Sequence, residues 1–402
     1  MCFSLGDIAV LDPEQRIIDE ATFDENWLVY GPAGTGKTIL ALKRVERMNR
    51  MLPNETTLFV SRSKVLAQWV RSAAVEIGIG ASIKTYDQFF WWFVKDRIKG
   101  DSEIDRDPPT LDDGAFDWDQ IVPLLEVAYT AKPDWAKINL VLDEAQDLPL
   151  GFFDACKWMC NRVFILMDEN QKTDFWDDSK RSEIAQRLGI DPVHQRLLKV
   201  NHRNPLEIKS LSETFFDGDV GELAEIPKDP KDRLKLEAAP LIRWLPLNDE
   251  NARRDQIDQI ISYCHDQPTA TVCVVSPGKN DIRDLRDRIE EYAGHDIRLQ
   301  AKPDWTVRSY VAKMSVPANL DMCAPGVIVS NSINFKGSEF RAVFLIDWDK
   351  SSETSASMYT TITRAKGRIE VLAENSEISK GKIRGIFEKA LNEQLITEVE
   401  AG

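Results

Sequence analysis

The sequence predicts an α/β protein built from two parallel-sheet domains. Three observations carry that reading. Apolar runs of four or five residues alternate with amphipathic helical stretches, the pattern of short buried strands and covering helices. The alternation fills the first half of the chain and then begins again in the second. Finally, 402 residues, at roughly 150 per domain, give room for two to three domains with ample core.

Taken in order, Trp27–Tyr30 (WLVY) reads as a short buried strand. A Gly-rich turn follows it, then KTILALKRVERMNRML as an amphipathic helix. Further strands are expected at Thr57–Val60, Asn139–Leu142 and Val163–Met167, the last ending at Asp168. The second half offers Thr271–Val275, Gly326–Val329, Val343–Ile346 and Ile369–Leu372. Strands apolar throughout, rather than at alternate positions, belong to a parallel sheet covered on both faces. The expected domains are 1–200 and 201–402, dividing near 195–205. A small acidic insertion is expected over 96–136. Its stretch Asp101–Gln120 holds eight acidic residues against one Arg, with two prolines, and reads as a solvated loop or cap. Residues 217–240 read as an irregular crossing segment for the same reason. No repeat or low-complexity tract interrupts either half.

Composition sets further bounds. An apolar fraction of 43% and a charged fraction of 29% are ordinary globular values and exclude a disordered chain. Six cysteines are too few for a disulfide scaffold, so reduced thiols are expected. The four histidines lie far apart and make no metal-ligand pattern. The opening MCFSLGDIAVLDPEQ lacks the basic start and long apolar run of a secretory leader. No stretch approaches about 18 consecutive apolar residues, so no membrane span is expected. The expectation is a soluble cytoplasmic protein. With 66 Asp plus Glu against 51 Lys plus Arg, the net charge is −15. That balance weighs against a protein held on nucleic acid mainly by phosphate contacts, and leaves room for a basic groove on an acidic body.

The sharpest motif is GPAGTGKT at Gly31–Thr38. It fits G-x-x-x-x-G-K-[ST] and stands where such a loop needs to be, after a strand and before a helix. Gly31, Gly34 and Gly36 let backbone N–H groups close around phosphate oxygens, and the helix N-terminus favours negative charge. Lys37 is expected to reach the β/γ-phosphates of a nucleotide and Thr38 to ligate Mg²⁺. A phosphate loop needs a carboxylate at the end of a neighbouring strand. INLVLDEAQD supplies it: Asp143 to hold Mg²⁺ through water, and Glu144 to orient and deprotonate an attacking water. ATP and Mg²⁺ are the expected cofactors.

The string DEAQD, Asp143 to Asp147, resembles the superfamily 1A helicases of the UvrD/Rep type, and further motifs follow in that family's order. LDPEQ at Leu11–Gln15 resembles the Q motif, which implies that Gln15 reads adenine. MDENQ at Met167–Gln171 resembles motif III, whose Gln171 couples the γ-phosphate to the nucleic-acid site. VNHRN at Val200–Asn204 resembles motif IV, implying Arg203 on the γ-phosphate and His202 where a Tyr often stacks on adenine. NFKGSEF at Asn334–Phe340 resembles motif V, matching Gly337 and Glu339, the glutamate near the ribose. YTTITRAK at Tyr359–Lys366 resembles motif VI, with Arg364 at the arginine finger. The resemblance implies two RecA-like P-loop NTPase domains with minimal accessory insertions. Such arginines are worth about 10³–10⁵ in rate, and on a second domain they would tie hydrolysis to closure.

The resemblance also implies a single-stranded DNA path. Ser61, Arg62 and Lys64 form a phosphate-binding edge, Thr85 touches a phosphate, and Trp176 stacks on a base. Of the dense block Phe89, Phe90, Trp91 and Trp92, most is expected to be core. Departures fall on this side of the machine. Ser61–Arg62–Ser63–Lys64 stands where the family usually has T-F-T-N, Asn331 and Ile333 replace a Thr and a His of motif V, and Asp177 follows Trp176 where Arg is usual. Lys37 and Asp143 are 106 positions apart, and Arg203 and Lys336 are 133 apart. Those gaps leave little beyond a motor core. Two functions are therefore expected to compete: an ATP-dependent DNA translocase or helicase, moving 3′ to 5′ if the family carries over, and a nucleotide-driven switch regulating a partner such as a nuclease in a bacterial defence or repair complex. A catalytically silent scaffold and a small-molecule kinase fit the motif series less well.

Overall fold

The computed structural model describes residues 11–76, 78–98, 108–131, 137–171, 179–216, 223–229, 237–245, 250–276, 279–302, 304–310, 324–346, 355–374, 387 and 389–400. These form two compact units. One comprises 11–32 and 36–198, the other 33–35 and 199–400. Each is built on one parallel sheet, so the fold is α/β.

The first sheet holds β1 (Trp27–Tyr30), β2 (Thr57–Ser61), β3 (Ile83–Thr85), β4 (Ile138–Asp143), β5 (Cys160–Met167) and β6 (Gln195–Leu197). Their order is β3-β2-β4-β5-β1-β6. β2 and β4 are buried along their whole length, as the all-apolar runs required. The second sheet holds β7 (Leu241–Leu245), β8 (Thr271–Val275), β9 (Thr306–Ser309), β10 (Gly326–Ser330), β11 (Phe340–Ile346), β12 (Ala365–Glu374) and β13 (Thr397–Glu400), in the order β13-β7-β12-β11-β8-β10-β9. Every pairing in both sheets is parallel.

The helices bury the stripes that their spacing dictates. In the second unit Ile257, Ile260 and Cys264 on Glu250–Asp266 meet Ile282, Leu285 and Ile289 on Lys279–Ala293 within the core over β8 and β10. In the first, Phe89 and Phe90 of the aromatic block and the neighbouring Phe93 are fully buried, while Trp91 is exposed. Each such ring contributes about 1.5–3 kcal/mol by leaving water. Phe116 and Trp118 join this cluster, and Trp118 Nε1 donates to the Tyr86 hydroxyl at 2.7 Å. This modifies the solvated-loop reading of the acidic stretch, of which 108–120 are described. Its two large aromatics find a better environment in the core than in water and carry the chain inward.

Registers bring the strand ends level. Ser61 pairs with both Thr85 and Asp143, and Tyr30 pairs with Met167. The residues following β1 to β5 therefore gather at one carboxyl edge, where ligands of open α/β sheets bind. The four described cysteines, Cys156, Cys160, Cys264 and Cys273, are buried free thiols. No helix among the described residues is long and apolar enough to cross a membrane.

Candidate functional site

The phosphate loop leaves β1 and enters the helix Lys37–Met51. Its tightest turn is at Gly36, whose φ of 77° lies in the left-handed region. A Cβ there would meet Gln15 Nε2 at 2.4 Å, so the close approach also requires glycine. The Lys37 ammonium is buried and donates to the carbonyls of Gly31 at 2.7 Å and Pro32 at 2.9 Å. It lies 3.9 Å from Asp168 Oδ2. The loop tip, 33–35, belongs to the second unit, where His202 N–H donates to Gly34 O at 2.8 Å. Gly34 has a φ of 84° and packs against Asn201.

Thr38 hydroxyl donates to Asp143 Oδ2 at 2.7 Å. Burial, and then the charge of Glu144 beside it, push the Asp143 carboxyl up to about 7 despite the Thr38 bond and Lys37. Glu144 is itself buried and has a φ of 55°, a left-handed conformation for a residue with a Cβ. Such a conformation costs on the order of 1–3 kcal/mol and persists only where its surroundings hold it. Here Gln146 holds it. Gln146 Nε2 donates to Glu144 Oε2 at 2.6 Å, while Gln146 Oε1 accepts from Asp168 N–H at 3.1 Å. Gln171 Nε2 donates to Asp168 Oδ2 at 2.5 Å. Burial raises the Asp168 carboxyl, opposed chiefly by Lys37.

Lys37, Thr38, Asp143, Glu144 and Gln171 thus lie together in the first unit. Two members were absent from the expected set. Asp168 and Gln146 join Lys37 to Glu144 through one ion pair and two hydrogen bonds. Asp168 carried a signal in the sequence, since it ends an apolar strand as Asp143 does. Gln146 carried only its place inside DEAQD.

The donor set suits a divalent cation. Among the described residues no cluster of three or more His, Cys, Asp or Glu stands ready to cage a metal. Mg²⁺ does not need one, because it is held by one or two protein oxygens and by phosphates. Thr38 and Asp143, bonded to one another, could supply those oxygens, and the crowded Asp143–Glu144 pair would favour an added positive charge.

Gln15 lies on the seven-residue helix Pro13–Asp19. Its Oε1 accepts from Asp12 N–H at 3.1 Å while Asp12 Oδ1 accepts from Gln15 N–H at 2.8 Å, a reciprocal capping box. The side chain is buried against Gly36.

The second unit carries the remaining motif residues. Arg203 is bound to Glu339, Nε to Oε1 at 2.7 Å, and Lys366 approaches the other oxygen at 2.5 Å. Although burial alone would raise it, the Arg203 guanidinium and then the Lys366 ammonium hold the Glu339 carboxyl at about 2. Gly337, with a φ of 81°, makes the turn before it. Arg364 is buried, its Nε donating to Thr360 O at 2.9 Å and its Nη1 to Ser338 O at 3.4 Å. The His202 side chain is exposed. Asn204 braces this region by donating to Thr363 O at 3.0 Å and Ala365 O at 2.8 Å.

Of the expected DNA-contacting residues, Ser61 and Thr85 stand level at the carboxyl edge of the first sheet. The Ser61 hydroxyl is buried without a hydrogen-bond partner among the described residues. Thr85 caps the helix Tyr86–Phe93, its hydroxyl accepting from Gln88 N–H at 3.3 Å. Arg62 lies over the Tyr86 ring at 4.9 Å, and Lys64 is exposed. Trp176 and Asp177 lie outside the described residues.

No protein-family model matches the sequence, and no curated protein matches it either. The class defined by sheet order and site position is that of two RecA-like units. Among solved structures, the chain is similar to the crystal structure of Pif1 helicase from Candida albicans. The TM-score is 0.52 over 96% of this chain and 99% of that one, at 12% sequence identity. At that identity the likeness is one of fold.

Proposed function

We propose that this chain is an ATP-hydrolysing motor of the helicase type, related to the UvrD/Rep branch, that moves on single-stranded DNA from 3′ to 5′. The observation that carries the reading is the series Lys37–Asp168–Gln146–Glu144, one ion pair at 3.9 Å followed by two hydrogen bonds, with Thr38 on Asp143 beside it. It places a cation, a hydroxyl–carboxylate pair and an oriented acid around one phosphate loop. ATP hydrolysis calls for the same set.

In this reading Lys37 exchanges the Gly31 and Pro32 carbonyls for β/γ-phosphate oxygens. Thr38, and Asp143 through water, would hold Mg²⁺, which when bound would supply positive charge against the phosphates. Glu144 orients a water in line with the γ-phosphoryl group and accepts its proton. Gln171, anchored on Asp168, reports the state of the phosphates. Arg203 and Arg364 supply positive charge to the γ-phosphoryl oxygens, Arg203 by leaving Glu339. Gln15 and His202 address the adenine, and Glu339, once released, the ribose. Ser61, Arg62, Lys64, Thr85 and Trp176 address the DNA strand.

A second reading has its own support. A net charge of −15 and the altered Ser61–Lys64 stretch favour a nucleotide switch that regulates a partner such as a nuclease. Streptavidin displacement from end-biotinylated oligonucleotides separates the two. A 3′-to-5′ motor strips streptavidin from the 5′ end in an ATP-dependent way and spares the 3′ end. ATP hydrolysis without displacement from either end would leave the switch as the better account.

A further inference from the structure

The phosphate-loop helix carries a buried arginine that the hydrolytic scheme does not use. Arg44 has 0% of its surface exposed. Its Nη1 donates to Asp19 O at 3.1 Å and Ala21 O at 2.7 Å, and its Nη2 to Thr22 O at 2.6 Å. The guanidinium lies 4.3 Å from the Phe23 ring centre and 5.0 Å from that of Phe164 on β5. Arg47 meets the same turn, donating to Asp19 O and lying 5.3 Å from the Phe23 ring centre.

Burying a guanidinium is costly unless its bonds are made, so the contact has to be explained by what it holds. Asp19 ends the helix Pro13–Asp19. The last carbonyls of any helix lack partners within it, and basic side chains can satisfy them. A helix of seven residues is also too short to persist alone in water. This one is fixed at its start by the Asp12–Gln15 capping box and at its end by Arg44. Gln15, a partner in the first fixing, has its side-chain amide close against Gly36 of the phosphate loop. Burial draws the Arg44 guanidinium down to about 10, which leaves it charged at neutral pH.

We infer that Arg44 is the positioning residue of base recognition: its guanidinium is taken up by the carbonyls of Asp19, Ala21 and Thr22, and it sets the affinity for the base by locking the helix that presents Gln15 beside the phosphate loop. The inference rests on the nucleotide reading above. It differs from a general stabilising role in one respect. A ligand with phosphates and no base should be nearly indifferent to Arg44.

The test is equilibrium binding of ATP and of inorganic tripolyphosphate to the full chain, for the parent, Arg44→Met, Arg44→Lys, Gln15→Ala and the Gln15→Ala/Arg44→Met pair, each checked for cooperative melting. Arg44→Met should weaken ATP about tenfold, the scale of one lost well-placed hydrogen bond, and tripolyphosphate less than about twofold. Arg44→Lys keeps the charge without the planar fork and should lie between Met and parent. Where Arg44→Met does not melt cooperatively, the Lys variant decides by the same selective loss. The double variant should bind ATP no worse than Gln15→Ala, since both act through one contact. Equal weakening of ATP and tripolyphosphate, or additive losses in the double variant, would overturn the inference and leave the nucleotide reading standing. A folded parent that binds neither ligand would overturn the nucleotide reading itself, and the inference with it.

Discussion

Gln146 Nε2 donates to Glu144 Oε2 at 2.6 Å, and the same amide receives the Asp168 backbone N–H at 3.1 Å. One side chain thus links the ends of β4 and β5 and holds Glu144 in its left-handed conformation. Steady-state kinetics of Gln146→Ala should show kcat reduced by about tenfold or more with KM little changed. That is less than the 10²–10⁴ expected when a general base is removed outright. An unaltered kcat would mean that Glu144 needs no such support.

The Arg203–Glu339–Lys366 cluster sets an acid limit on the stability of the second unit. The folded Glu339 carboxyl is held near 2, below its ordinary 4.5. The folded state therefore binds fewer protons than the unfolded one in this range, and stability rises with pH through it. The contribution is complete above about pH 4.5 and is lost as pH falls toward 2, on the order of 3 kcal/mol in all. Urea unfolding of the parent and of Glu339→Gln between pH 3 and 7 should show the parent's advantage shrinking steadily below pH 4.5. A difference that is flat with pH would contradict the assigned pairing.

Lys64 is exposed at the carboxyl edge of the first sheet, close in sequence to Ser61 and Arg62. If this edge holds a strand, each phosphate contact releases counterions, with a slope near 0.7 per contact on single strands. Oligonucleotide binding by Lys64→Ala, measured across a salt series, should lose about 0.7 from the log–log slope together with affinity. Arg62→Ala is a less clean probe because its guanidinium also packs on Tyr86. An unchanged slope in Lys64→Ala would move the strand path elsewhere.

The sequence disclosed the interior of the fold better than its margins. All eight expected strands exist, Trp27–Tyr30 and Thr271–Val275 with the expected ends. Those not anticipated were β3, β6, β7, β9 and β13. Four of them are the outer strands of the two sheets, and β7 lies next to one. Outer strands are short and carry polar residues such as Lys84, Gln195, Arg308 and Glu398, so no apolar run announces them. The site divides in the same way. GPAGTGKT and DEAQD declare Lys37, Thr38, Asp143 and Glu144 through local spacing. Asp168 meets Lys37 only because Tyr30 pairs with Met167, a register between strands more than a hundred residues apart. Arg44 was equally silent, since an arginine on an amphipathic helix ordinarily reads as solvated. Its burial follows from where the 19–23 turn lies.

The most direct test of the central claim is steady-state ATP hydrolysis with and without single-stranded DNA, using Glu144→Gln as the blank. Turnover should depend on Mg²⁺ and rise strongly on adding DNA. Glu144→Gln should lose about 10²–10⁴ of that turnover while still binding ATP. Turnover equal in the parent and in Glu144→Gln, or none in either with DNA present, would contradict the central claim.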